Sequence, residues 1–350
     1  MDLWKHLQAS GKPIISYGTG NGADKIFDFA LSKGIKIEGI FVSDDFVREG
    51  KTFRGLPVES YAKILDRYGD FIVLVCFASP LPEVIDNILK LSQSRETYIP
   101  CVPAYGEGVF TEEYFNEHIE EIKYAREIFA DKKSREIYDK LISYRLDAKP
   151  EGLLSAVSDE DEILHRILRC EHYENIVDAG AYNGDTAGFY TEHFENCKKI
   201  FAFEPDVKNF GHLVKNTAEN KKVLPYNIGL SNKKERVEYA VGDGRGSSAF
   251  KAKKTRTAEL DRLDALIDKT HIDFIKYDVE GAEEKALLGS RKIIERDKPD
   301  ILISVYHRTE DIFYLPKLLF EICGEDYNLY LRRHRCVPDW EVEVYAIKKD

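Results

Sequence analysis

The chain has 350 residues, 43% of them apolar and 12% aromatic, with a formal charge of -11. That length supports two packed domains, and the acidic, well-mixed charge argues against a basic nucleic-acid surface. The longest apolar runs, such as FIVLVCFA from Phe71, are strand-length and far short of a bilayer span.

The amino terminus shows no secretory apolar core and no small-residue cleavage site. The six cysteines, Cys76, Cys101, Cys170, Cys197, Cys323 and Cys336, form no CxxC pair and no Cys/His cluster. Reduced thiols in a cytoplasmic protein are the expectation, with neither a disulfide framework nor a zinc site.

The first hundred residues alternate in βαβ fashion. PIISYG (13–18) reads as a strand, and GADKIFDFALSKG (22–34) as an amphipathic helix closed by Gly34. IEGIFVSDD (37–45) is a second strand; GLPVES (55–60) is an edge element leading into the helix YAKILDRYG (61–69). FIVLVCF (71–77) is a buried strand, and PLPEVIDNILKLSQ (80–93) a helix. Between Thr111 and Leu146 the sequence turns charged, with Ile119, Ile122, Ile128 and Phe129 near helical spacing, which predicts two linked helices. Pro150 and Gly152 then interrupt the pattern.

A second α/β run follows. Its predicted strands are NIVDAG, KIFAFEP, VLPYNIG, RVEYAV, DFIKYDVEG, DILISVYH, YNLYLRR and EVEVYAIKK. The last two have no helix between them and are expected to pair antiparallel. The division is thus 1–110, a Rossmann-like domain; 111–165, a helical linker; and 166–350, a second α/β domain.

Two glycine-rich turns carry the chemistry. In the first, Gly18-x-Gly20-x-x-Ala23 is a permissive dinucleotide fingerprint, with Asn21 in the turn and Asp44 where a ribose-binding acid would sit. In the second, Asp178-x-Gly180-x-x-x-Gly184 precedes a strand ending at Glu204. Glycine would let a ligand approach the backbone, and a carboxylate can accept from both ribose hydroxyls. Asp178 would repel a pyrophosphate, whereas S-adenosylmethionine (SAM) offers an ammonium, a sulfonium and a ribose. The alternative is an aspartate that only caps the following helix.

From Asn175 to Lys348 the chain resembles the FkbM family of class I, SAM-dependent O-methyltransferases. VDAGAYNGDT, FAFEPD, GRGSS, DFIKYDVEGAEEKALLGS and ILISVYH carry the likeness. The resemblance implies a class I methyltransferase sheet, mostly parallel with an antiparallel carboxyl-terminal hairpin. It implies that Asp178, Gly180, Tyr182 and Asn183 surround the methionine moiety and sulfonium of SAM, with Gly184 also binding the cofactor. Glu204 would hold the ribose, Asn227 would lie near the adenine, and Asp278 and Glu280 would face methyl transfer. Ser247 and Ser248, in the glycine-rich VGDGRGSSAF, would touch ligand from a lid; a hairpin turn is the alternative.

His307 ends its strand at the carboxyl rim and is read as base or substrate anchor, with Asp278 the competing base and a histidine bonded only to backbone the alternative. A third oxygen ligand beside Asp278 and Glu280 is not identifiable, so no metal is assigned. Arg332, Arg333, His334 and Arg335 read mostly as a solvated basic edge strand, or else as a contact for an anionic substrate.

The first hundred residues more loosely resemble the nucleotide-sugar-binding domain of some bacterial sugar acyltransferases, on IISYGTGNGADKI, IEGIFVSDD and GLPV. They lack strands for a second mononucleotide half, which argues against a complete NAD dehydrogenase. The expected function is O-methylation of a hydroxyl on a sugar, nucleotide sugar or glycan precursor. The rivals are a non-catalytic SAM- or nucleotide-sugar-binding scaffold and an NAD(P)-linked oxidoreductase. A homo-oligomer is left open.

Overall fold

A computed structural model describes residues 2–240 and 255–350. In the first half the strands are β1 (Ile14–Tyr17), β2 (Ile37–Val42), β3 (Thr52–Phe53), β4 (Leu56–Ser60), β5 (Ile72–Val75) and β6 (Thr97–Tyr98). They form one sheet in the order β3-β4-β2-β1-β5-β6. All pairings are parallel except β3 with β4. Each of β1 and β5 is an unbroken run of buried residues, as a strand covered on both faces requires. The sheet therefore extends on both sides of β1; the last strand is only two residues long.

An amino-terminal helix, Leu3–Ala9, escapes the periodicity argument because it is short. It forms because the Asp2 carboxylate caps it, accepting from Trp4 N and Lys5 N. The charged stretch forms helices Glu112–Glu117, Ile119–Glu127 and Lys132–Asp147, three where two were predicted. Capping residues set their starts: Thr111 accepts from Tyr114 N, and Asp131 from Ser134 N.

The second half contains β7 (Asn175–Ala179), β8 (Lys199–Phe203), β9 (Val223–Tyr226), β10 (Gly229–Leu230), β11 (Glu235–Ala240), β12 (Thr255–Asp261), β13 (Phe274–Tyr277), β14 (Asp300–Ser304), β15 (Tyr327–Arg333) and β16 (Val342–Lys348). Seven of them make a sheet in the order β15-β16-β14-β13-β7-β8-β9. β7, β8, β9, β13 and β14 are parallel; β16 runs antiparallel between β14 and β15. This is the class I methyltransferase arrangement. β10, β12 and β11 form a separate three-stranded sheet, in which β12 was not foreseen.

The chain leaves β7 in one direction, toward β8 and β9, and returns on its other side as β13. That reversal opens a crevice at the carboxyl ends of β7 and β13, where open α/β sheets bind ligands.

The two halves share one apolar core. A single cluster joins Ile15, Val73 and Ile99 of the front sheet, Phe129, Tyr138 and Leu141 of the helices, and Ile301, Leu331 and Val344 of the rear sheet. A buried ion pair, Arg145 Nε to Asp339 Oδ2 at 2.6 Å, lies in the same junction.

The basic edge departs from expectation. β15 is at the sheet edge, but Arg332 and Arg333 are 1% and 0% exposed. The Lys132–Asp147 region covers them: Arg332 donates to Asp131, Glu162 and Ser134 Oγ, and Arg333 to the carbonyls of Leu153 and Cys336. Neither is solvated. Sequence alone cannot show that a helix from another segment caps an edge strand.

Candidate active site

Asp178 sits on β7 directly opposite Lys276 on β13. In a parallel pair such partners project from the same face, and the Lys276 ammonium lies 3.4 Å from Asp178 Oδ1 and 3.5 Å from Asp278 Oδ2. Asp178 is fully buried, and burial pushes its pKa up against the pull of Lys276. Its Oδ2 is buried with no hydrogen-bond partner among the described residues. A buried carboxylate oxygen left in this state is costly, and the described residues supply no donor to it.

Lys276 is a site residue that the motifs alone do not single out. The signal was present: a lysine inside FIKY, an otherwise apolar strand, must find carboxylates.

Gly180 has φ +86°, and a Cβ there would lie 1.8 Å from the Asp278 carbonyl oxygen. Its smallness lets the β7 turn pack on the β13 turn; that requirement is internal to the rim. Gly184, φ +86°, similarly admits Thr217 and Leu213. Between them Tyr182 holds the left-handed φ of +46° without being glycine. Asn183 contributes its carbonyl to Asn216 Nδ2 and its Oδ1 to Asp185 N, shaping the helix entry.

Glu204, at the end of β8, is 6% exposed. Its two oxygens accept from Tyr182 N at 3.0 Å and Asp206 N at 2.8 Å. Burial raises its pKa to about 7, against those two backbone donors. Asn227 packs beside it, donating to the Glu204 and Pro205 carbonyls. Glu204 therefore ties the β7 turn to the β8 turn.

At the other lip, the turn after β13 carries Asp278, Glu280 with φ +54°, and Gly281 with φ +91°. Glu283 Oε1 accepts from Val279 N at 2.9 Å and Gly281 N at 3.3 Å, which fixes the turn. The same oxygen faces His307 Nδ1 at 2.9 Å, and both side chains are 1% exposed. His307 Nε2 lies 3.5 Å from Asp278 and 3.6 Å from Glu280. Despite the burial that opposes charge, Glu283, Asp278 and Glu280 raise the His307 pKa to about 10. Its partners are carboxylates, so the backbone-bonded alternative does not hold. Tyr306 donates to Asp278 Oδ1 at 3.4 Å.

Asp178, Gly180, Tyr182, Asn183, Gly184, Glu204 and Asn227 thus gather on one lip, and Asp278, Glu280 and His307 on the other, with Lys276 joining them beneath. Ser247 and Ser248 lie outside the described residues. Among those residues no cluster of His, Cys, Asp and Glu could hold a metal ion.

The first glycine turn is different. A Cβ at Gly18 would lie 2.4 Å from Phe77 Cδ1, and one at Gly20 2.7 Å from Phe77 Cβ. Phe77 follows β5 and packs edge-on against Tyr17. The glycines admit this aromatic ring at the β1/β5 crevice, the place a pyrophosphate takes in a dinucleotide fold. Asn21 and Asp44 are exposed, Asp44 in a single 3-10 turn.

Strand order and rim define a class I methyltransferase fold. Residues 178–329, somewhat less than half of the chain, match the family model described as "Methyltransferase FkbM domain". A crystal structure of methyltransferase FkbM from Methylobacillus flagellatus KT is similar over 97% of this chain and 90% of that one, with 20% identity and a TM-score of 0.71. That likeness shows that the fold of both halves recurs together. An rRNA methylase from Streptococcus thermophilus shares 16% identity over 55% of this chain and 95% of its own, with a TM-score of 0.35. Aeropyrum pernix fibrillarin, solved with natively bound S-adenosyl-L-methionine, shares 14% over 51% and 69%, with a TM-score of 0.33. No curated protein matches the sequence. No helix among the described residues is long and apolar enough to cross a membrane.

Proposed function

We propose that the protein is a SAM-dependent O-methyltransferase that methylates a hydroxyl of a sugar, nucleotide sugar or glycan precursor. The observation that carries this reading is the orphaned Asp178 Oδ2 in the crevice between β7 and β13. A ligand that brings an ammonium group to this crevice would satisfy it, and a phosphate would not.

In this reading Asp178 and the turn Gly180–Gly184 hold the amino-acid end of SAM, Glu204 the ribose and Asn227 the adenine side. Bound SAM supplies an electrophilic methyl group on a positively charged sulfur. The chain's own work is alignment and proton handling. His307, with its pKa near 10, keeps its proton at neutral pH and serves as an anchor, not a base. The acceptor proton then falls to Asp278, whose oxygens are oriented by Lys276, His307 and Tyr306.

The division into 1–110, 111–165 and 166–350 is kept as the organisation of this enzyme. Phe77 in the first crevice favours a structural front domain over an NAD(P)-binding one.

Calorimetric titration of the full chain with SAM and S-adenosylhomocysteine, repeated on Glu204→Ala, tests the reading. Binding by the wild type that is lost in the variant supports it. No binding by the wild type would leave a non-catalytic scaffold in its place.

A further inference from the structure

Among the described residues, a loop of the front half around Tyr105 reaches the active-site rim. Lys25, just past the first glycine turn, donates to the carbonyls of Pro103 at 2.7 Å and Gly106 at 2.9 Å. So clamped, the loop pairs Tyr105 N with the His307 carbonyl at 2.7 Å. The Tyr105 ring rests on Gly281, where a Cβ would lie 2.6 Å from its Cδ1, yet the residue is 51% exposed. An exposed aromatic is held, by a glycine that makes room for it, three residues from Asp278.

Arg308 stands beside it. Its guanidinium lies 4.9 Å from the Tyr105 ring centroid, and its Nε donates to the Gly281 carbonyl at 2.9 Å. Among the described residues neither Nη1 nor Nη2 has a hydrogen-bond or ion-pair partner. The neighbouring acids are engaged elsewhere: Asp278 with Lys276 and His307, Glu280 with His307, and Asp311 with the Arg308 backbone N–H. A guanidinium fixed at Nε, with its outer edge open, is shaped for two-pronged recognition of an oxyanion.

We propose that Tyr105 and Arg308 form the acceptor subsite and that the acceptor is an anionic sugar, a hydroxylated ring bearing a phosphate or carboxylate. The ring's C–H face lies on Tyr105, whose π face carries partial negative charge, and the anion takes the Nη edge of Arg308. A hydroxyl is thereby directed to Asp278. This rests on the methyltransferase reading above and adds the charge of the acceptor and the contribution of the front half. It also moves anion recognition away from Arg332 and Arg333, which are buried.

The test uses full-length protein saturated with S-adenosylhomocysteine and titrated, by saturation-transfer NMR, with glucose 1-phosphate, glucuronate and methyl glucoside. At least one anionic sugar should bind about tenfold tighter than the neutral one, the size of one charge-assisted pair; which of the two does so separates phosphate from carboxylate. Arg308→Gln should erase the preference, Arg308→Lys should retain part of it, and Tyr105→Ala should weaken all three sugars. S-adenosylhomocysteine affinity should not change in any variant, which also reports folding. Equal affinities in the wild type, a preference that survives Arg308→Gln, or no binding of any sugar would overturn the subsite. Failure of the wild type to bind S-adenosylhomocysteine would instead overturn the reading beneath it.

Discussion

Lys276 and Asp178 are register partners on adjacent parallel strands, and their charges meet at 3.4 Å beneath the crevice. The same ammonium lies 3.5 Å from Asp278, so one buried cation bridges the two lips.

Removing it should be severe. Breaking a buried pair by deleting one partner costs about 3–5 kcal/mol, and Lys276→Met is expected to lose stability on that scale in urea unfolding. Asp178→Asn combined with Lys276→Met should recover part of the loss, because no unpaired carboxylate then remains on β7. A stability change below about 0.5 kcal/mol in the single variant, the level of ordinary surface substitutions, would show that the pair is not formed.

Glu204 should make donor binding pH-dependent. Its folded pKa is raised to about 7, so its charge develops across neutral pH. SAM affinity is expected to rise between roughly pH 6 and 8 as the carboxylate forms, and Glu204→Gln should flatten the curve. The same shift acts on stability in the opposite sense. Between the ordinary glutamate range and pH 7 the folded state binds more protons than the unfolded state, so this group's contribution falls as pH rises. A flat wild-type affinity profile would remove Glu204 from the ligand contacts.

His307 gives a second window. Its folded pKa is raised from 6.5 to about 10. Its contribution to stability is complete below the unfolded value and is lost as pH climbs toward 10. Denaturation midpoints measured from pH 6 to 10 should decline more in the wild type than in His307→Gln. In turnover, His307→Ala is expected to raise the acceptor KM with little change in SAM affinity. A wild-type activity profile governed by a group near pH 6.5 and abolished in that variant would restore the histidine as base.

Gly180→Ala tests the contact between the two turns. The new Cβ would collide with backbone at 1.8 Å while also requiring a positive φ. Such a change costs more than about 1 kcal/mol, and here it should also displace Asp278. Thermal melting and turnover are both expected to fall. Wild-type melting would mean that the β7 and β13 turns do not touch.

The amount legible beforehand differs from residue to residue. The β7 turn, Glu204 and the DVEGAE turn declare themselves because acids and glycines interrupt apolar strands at rims. The antiparallel pairing of β15 with β16 follows from the missing connection between them. Other features depend on distant segments. Gly18 and Gly20 look alike for a phosphate or for a phenyl ring, and only the position of Phe77 decides between them. Arg332 has the pattern of a solvated edge until Asp131 and Glu162 arrive from elsewhere in the chain. Glu283 was visible only as a motif letter; its hold on the Val279 and Gly281 amides is geometry that a sequence does not display.

The shared core has a consequence for how the molecule comes apart. Because Ile15 and Val73 belong to the same apolar cluster as Ile301 and Val344, parting the two halves would open buried apolar surface on both sheets. Unfolding should therefore be one cooperative event across both halves. The front half then acts as a keystone, and severing it would turn the inside of the methyltransferase half into an adhesive outside.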